Sequence, residues 1–269
     1  MSSSEAAAAA DALPRVVGIL GAGRAGTALA RAIARIPRLS PGTAAPRVMV
    51  AGTRRPAAVQ RHLTIYAPEA VAVSAENLAA EAELVVVAVP REALDDVDPL
   101  ALAGPATRAV VDLTNTWQGE PVPAWLDDDG APGSVRIAAR WAAAGLRVPV
   151  VRAFSEISHH DLEDAGRATA PRRALAVGTE PTDAAADPAV VAAARDTVVA
   201  LVTAMGFDAV PYTGLDRAGV LEPGAAGFGT AHDAGRLAAL LADAPTGLGA
   251  PPAAVPTLGG TADPSRRPP

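Results

Sequence analysis

A chain of 269 residues, half of them hydrophobic, can bury a core without cross-links, and it has no cysteine with which to make one. Disulfides, thiolate catalysis and cysteine-ligated metal are excluded, while a formal charge of −6 and 3% aromatic residues argue against nucleic acid as a partner. Lysine is absent too, so Schiff-base chemistry, a P-loop lysine and a lysine general acid are unavailable.

Residues 1–14 are Ser/Ala-rich and carry Glu5 and Asp11 where a secretory signal needs positive charge, so they read as a disordered extension. The first predicted strand is Arg15 to Leu20, short, apolar and rich in β-branched residues. A Gly-rich turn follows, then a helix from Thr27 to Ile36 that Pro37 stops. A strand at Arg47 to Ala51 precedes a short helix begun by Pro56 and a strand at Ala70 to Val73. Residues 74–82 read as a helix with Ser74 as its N-cap. Leu84 to Val89 is the strongest strand signal, ended by Pro90. It is the longest strongly apolar run and far short of a membrane span, so a soluble, cytoplasmic protein with no membrane partner is expected.

Beyond it, Arg91 to Val97 begins a helix and Ala109 to Leu113 is the fifth strand. Residues 117–133 are loop-rich, and Asp127-Asp128-Asp129 reads as a solvated turn rather than a metal site. A helix at Val135 to Ala144, a strand at Val148 to Ala153, a strand at Arg173 to Val177, a helix at Pro188 to Met205 and a strand at Phe207 to Pro211 complete the pattern. The alternation predicts an α/β fold built on a doubly wound parallel sheet of the Rossmann type. Residues 245–269 are Pro, Gly and Ala without periodicity and read as a disordered tail.

Gly21-Ala22-Gly23-Arg24-Ala25-Gly26 matches the dinucleotide pattern G-x-G-x-x-G, with a buried strand before it and a small-residue helix after it. Gly21 permits the tight turn, Gly23 admits a pyrophosphate against the backbone, and Gly26 lets the helix pack closely on the strand. The free N–H groups and positive helix end then face the phosphates. An NAD site places Asp or Glu at the end of the second strand, yet no acidic residue lies between Asp11 and Glu69. Thr53-Arg54-Arg55 stands there instead, suited to the 2′-phosphate of NADP. Arg24, Arg31, Arg35 and Arg47 add to a positive local field. The interval from Gly26 to Arg54 exceeds the usual ~20 residues, and the loop at 37–46 accounts for it as an insertion.

These pieces, in this order, resemble the NADP-dependent reductases of the deazaflavin coenzyme F420. The matching stretches are Gly18 to Gly26, Gly52 to Pro56, Leu84 to Pro90 with Arg91-Glu92-Ala93, and Val111 to Asn115. They continue with Val150 to Phe154, Ala176-Val177-Gly178, Met205 to Asp208 and Leu221-Glu222-Pro223. The resemblance implies an NADP-binding Rossmann domain at 15–150, a small C-terminal α/β domain at 151–244, a homodimer, and hydride transfer between reduced F420 and NADP. It implies that Ala88, Val89 and Pro90 wall the nicotinamide ribose, that Asn115 hydrogen-bonds the nicotinamide end, and that Phe154, Ser155 and Glu222 meet the second substrate. Hydride transfer needs two ring carbons held close and aligned, so no acid–base residue is assigned.

One departure stands at the expected substrate cleft. Ser155-Glu156 replaces the Asn-Thr or His-Thr of many relatives, and a carboxylate there repels an anionic deazaflavin unless it points away. His159 and His160 follow on a predicted helix, whose simplest reading is a solvent-facing surface. Two other functions fit the same sequence: an NADPH-dependent reductase of a small imine, carbonyl or flavin, and a non-catalytic NADPH-sensing protein.

Overall fold

The computed structural model describes residues 12–117, 119–127, 131–180 and 187–246. Most of the N-terminal extension, most of the tail and Asp128-Asp129 lie outside them. Within the expected extension, Leu13 packs on the main core and Pro14 is buried.

Eight strands form one sheet in the order β3-β2-β1-β4-β5-β6-β7-β8. They are β1 Val16–Leu20, β2 Arg47–Ala51, β3 Val71–Ala72, β4 Leu84–Val87, β5 Ala109–Asp112, β6 Val150–Ala153, β7 Ala174–Thr179 and β8 Asp208–Thr213. The central strands are buried along their whole length because helices cover both faces, which is why they read as continuous apolar runs. The helices are α1 Arg24–Ala34, α2 Ile36–Leu39, α3 Pro56–Tyr66, α4 Ala75–Glu81, α5 Gly133–Ala143, α6 His159–Asp164, α7 Pro188–Ala204 and α8 Ala234–Ala242. One face of the sheet packs on a core that includes Leu29, Ile33, Leu63, Val198 and Leu201, and the other on one that includes Leu78, Ile137 and Trp141.

Several elements differ from the sequence reading. Pro37 does not stop the chain's helical path. It sits in the first turn of α2, where its missing N–H would have had no partner. The stretch after Pro90 forms two 3-10 helices, Arg91–Asp96 and Pro99–Leu102, rather than an α-helix. α8 follows Gly229, capped by the Asp233 side chain, which accepts from the N–H of Arg236. The sheet is parallel except between β6 and β7. Only the short α6 lies between those two strands, and it packs on α1. No long helix crosses the sheet there, so the chain returns in the opposite direction. Among the described residues, no helix is long and apolar enough to cross a membrane.

Candidate active site

The turn after β1 is built by close approaches that only glycine allows. Gly21 has φ of 127°, and a Cβ there would lie 2.4 Å from the Ala88 carbonyl oxygen. A Cβ on Gly26 would lie 2.0 Å from the Gly21 oxygen and 3.0 Å from the Ile19 side chain, so α1 packs directly on the turn. Gly23 is the contrast: a Cβ there meets nothing within 4 Å. It is the N-cap of α1 and offers no side-chain cap, so the first N–H groups of the helix are left for a ligand. A turn open at that one glycine fits a pyrophosphate.

From this turn a cavity of about 690 Å³ runs along the carboxyl ends of the strands. Gly23, Arg24 and Ala25 form one end. Ala88, Val89 and Pro90 after β4, Leu113, Thr114 and Asn115 after β5, and Phe154 after β6 form its floor. Ile157, Ser158, His159, His160 and Leu162 form a side, and Glu92, Trp117, Glu120 and Phe228 complete the lining. Trp117 and Phe228 meet edge to face, with ring centroids 5.5 Å apart. Thr53, Arg54 and Arg55 lie just beyond the carboxyl end of β2, exposed and outside the cavity lining, and a Cβ on the preceding Gly52 would lie 3.5 Å from the Ala22 side chain of the turn.

The cations named from sequence separate into two groups. Arg31 pairs with Glu163 at 2.7 Å, Arg35 with Asp164 at 3.8 Å, and Arg47 with Glu81. Their positive field is therefore offset by carboxylates from distant segments. Arg24, Arg54 and Arg55 have no ion pair among the described residues.

Of the expected substrate residues, only Phe154 lines the cavity. It is buried and holds a left-handed backbone, φ 62°, which costs a non-glycine residue about 1–2 kcal/mol. Ser155 is buried below the surface. Glu156 points away from the cavity: it is 2% exposed, and its Oε1 accepts from the Ala176 N–H of β7 at 2.5 Å. Burial holds its carboxyl above the usual range, against the pull of that hydrogen bond and of Arg152 and Arg173. The repulsion feared at this position does not arise. His159 is half-buried and His160 exposed, as a solvent-facing helix face would be, and both also border the cavity, with ring centroids 4.0 Å apart. Partial burial lowers the His159 pKa, and His160 and Arg24 lower it further.

Glu222 lies behind the cavity rather than in it. Its Oε1 accepts from Arg91 Nη2 at 3.1 Å and from Arg152 Nη2 at 3.3 Å. Arg152 is fully buried and pairs with the equally buried Asp112 at 2.9 Å. Burial alone would lower the Arg152 pKa, but Asp112 and Glu222 hold it above its ordinary value. Arg91 Nε donates to the Thr114 hydroxyl at 3.1 Å and its Nη1 to the Thr116 hydroxyl at 2.6 Å. Two arginines thus face two carboxylates, a balanced set. The signal for this network was present as single charges, Asp112 and Arg152, inside otherwise apolar strands. Buried charges of that kind need partners.

The fold is a doubly wound Rossmann sheet, and the sequence match over residues 16–116 is to NADP-dependent oxidoreductases. Residues 16–116 match the family described as NADP oxidoreductase, coenzyme F420-dependent. None of the curated proteins matches the sequence. Among solved structures, a hypothetical protein from Sinorhizobium meliloti is 17% identical, with a TM-score of 0.61 over 83% of this chain and 97% of its own. A protein from Arthrobacter sp. FB24, provisionally assigned as an F420-dependent NADP reductase, is 22% identical, with a TM-score of 0.54 over 77% of this chain and 89% of its own. Glycerol-3-phosphate dehydrogenase of Saccharomyces cerevisiae is 13% identical, with a TM-score of 0.52 over 78% of this chain and 59% of its own. At these identities the likeness is one of fold.

Proposed function

We propose that the protein transfers hydride between reduced coenzyme F420 and NADP, with the nucleotide along the glycine turn and the deazaflavin at the aromatic end of the cavity. The observation that carries this reading is one continuous cavity joining an open Gly23 turn to the Trp117–Phe228 edge, in a chain whose residues 16–116 match the F420-dependent family. NADP supplies the hydride chemistry at its nicotinamide. The chain binds and orients: the α1 N–H groups take the pyrophosphate, Arg54, Arg55 and Thr53 take the 2′-phosphate, and Pro90, Asn115 and Phe154 close around the nicotinamide end. Trp117, Phe228 and Ile157 offer apolar contact to a second flat ring. A homodimer and the division into 15–150 and 151–244 belong to the same proposal.

A second reading has one observation in its favour. The side-chain carboxylates of Glu92 and Glu120 line the cavity and have no hydrogen bond or ion pair among the described residues, an arrangement better suited to an imine or carbonyl substrate than to an anion. Anaerobic mixing of the protein and NADPH with F420, flavin mononucleotide or a panel of imines and carbonyls, followed by absorbance, separates the readings. Reduction of F420 alone is expected. Reduction of an imine or carbonyl without F420 turnover would replace the proposal, and tight NADPH binding with no turnover would mark a sensor.

A further inference from the structure

Three segments from three strands meet at the nicotinamide end of the cavity: Pro90 after β4, Asn115 after β5 and Phe154 after β6. Behind them, one carboxylate spans the set. Glu222 Oε1 accepts from Arg91, the residue after Pro90, and from Arg152, two residues before Phe154. Arg152 Nη2 also donates to Asn115 Oδ1 at 3.0 Å. That bond fixes the amide, so Asn115 Nδ2 donates to the Ser155 carbonyl at 2.7 Å and pins the left-handed turn at Phe154.

We propose that Glu222 and Arg152 are positioning residues, which act through Asn115 to set where the nicotinamide ring rests. Glu222 does not line the cavity. Its charge keeps Arg152 turned toward Asn115, since among the described residues the other hydrogen bonds of Arg152 go to Asp112 and to the Asp112 and Thr114 carbonyls. A neutral amide at position 222 binds the two guanidinium groups more weakly and leaves an uncompensated positive charge among buried groups. Arg152 then loses its hold on Asn115, and the strained turn at Phe154 relaxes. The same carboxylate anchors the segment from 222 to 229 that brings Phe228 to the cavity wall. The inference rests on the reading of this cavity as the nicotinamide nucleotide site.

The test is a double-mutant cycle on Glu222→Gln and Asn115→Ala, read by fluorescence of bound NADPH and by turnover with whichever acceptor the wild type reduces. Unchanged far-UV circular dichroism establishes that each variant folds, and Glu222→Asp serves as a milder variant, its shorter reach holding one arginine at a time. The NADPH Kd should stay within about twofold for Glu222→Gln, since the glycine turn and the β2 arginines are untouched. The emission of the bound nicotinamide should move toward that of free NADPH, and kcat should fall roughly ten- to hundredfold, the cost of a misplaced ring. The double variant should lose no more than Asn115→Ala alone. Additive losses, or bound-nicotinamide emission unchanged in Glu222→Gln, would overturn the inference while leaving the nucleotide site intact. A wild type that fails to bind NADPH would overturn the site itself.

Discussion

Arg54 and Arg55 are exposed and carry no ion pair among the described residues, so their guanidinium groups are available to a phosphate. Hydrogen bonds to charged partners contribute about 1.5–3 kcal/mol each. Replacing both residues by alanine should therefore raise the NADPH Kd at least about tenfold while leaving the NADH Kd nearly unchanged. Equal losses for both nucleotides in a fluorescence titration would show that these arginines do not read the 2′-phosphate. Glu156 gives a second test at this scale. Its folded pKa is raised by burial, so the folded chain holds a proton that the unfolded chain releases above the ordinary glutamate pKa. Its contribution to stability is full below that pKa and declines as pH rises through the raised value. Glu156→Gln keeps an acceptor for the Ala176 N–H and removes the titration. The stability of the variant relative to wild type should rise as pH climbs above the ordinary glutamate pKa, by about 2–4 °C for each kcal/mol regained in a chain of this size. A Tm difference independent of pH would refute the upward shift of the Glu156 carboxyl.

The β1–turn–α1 element separates packing from ligand binding. Gly26 and Gly23 share one turn, but a methyl group at Gly26 collides with backbone at 2.0 Å, whereas at Gly23 it enters open space. Gly26→Ala should lose on the order of 1–3 kcal/mol of stability or more, as overpacked sites do. Gly23→Ala should keep the wild-type Tm and lose NADPH affinity at least tenfold, because its methyl occupies the place of the pyrophosphate. Thermal melts with and without NADPH distinguish the two, and a Gly23→Ala protein that still binds NADPH tightly would move the phosphate site elsewhere.

At the scale of the molecule, the sheet continues without a break from β5 through β6 to β7 and β8. The two units proposed from sequence therefore share one set of backbone hydrogen bonds and a core that joins Ile33 of α1 to Val198 of α7. One cooperative unfolding transition is expected by far-UV and near-UV circular dichroism. NADPH at a hundredfold excess over its Kd should stabilise the whole by about 2.7 kcal/mol. A second transition indifferent to NADPH would show that residues 151–244 fold independently.

The sequence by itself determined the parts whose physics is local. Apolar β-branched runs such as Leu84 to Val87 specify buried strands, and the spacing of Gly21, Gly23 and Gly26 specifies a tight strand-to-helix turn, because both depend on neighbours within a few residues. The replacement of an acidic residue by Thr53-Arg54-Arg55 was legible for the same reason. Only the tertiary structure decided which charges remain free. Glu163 and Asp164 neutralise Arg31 and Arg35 from more than a hundred residues away, and Glu222 crosses a similar distance to reach Arg91. Partners of that kind are chosen by how the sheet folds, and chain order carries no trace of them. The inward turn of Glu156, the antiparallel return of β7 and the placing of His159 in the cavity wall follow from packing of distant segments in the same way.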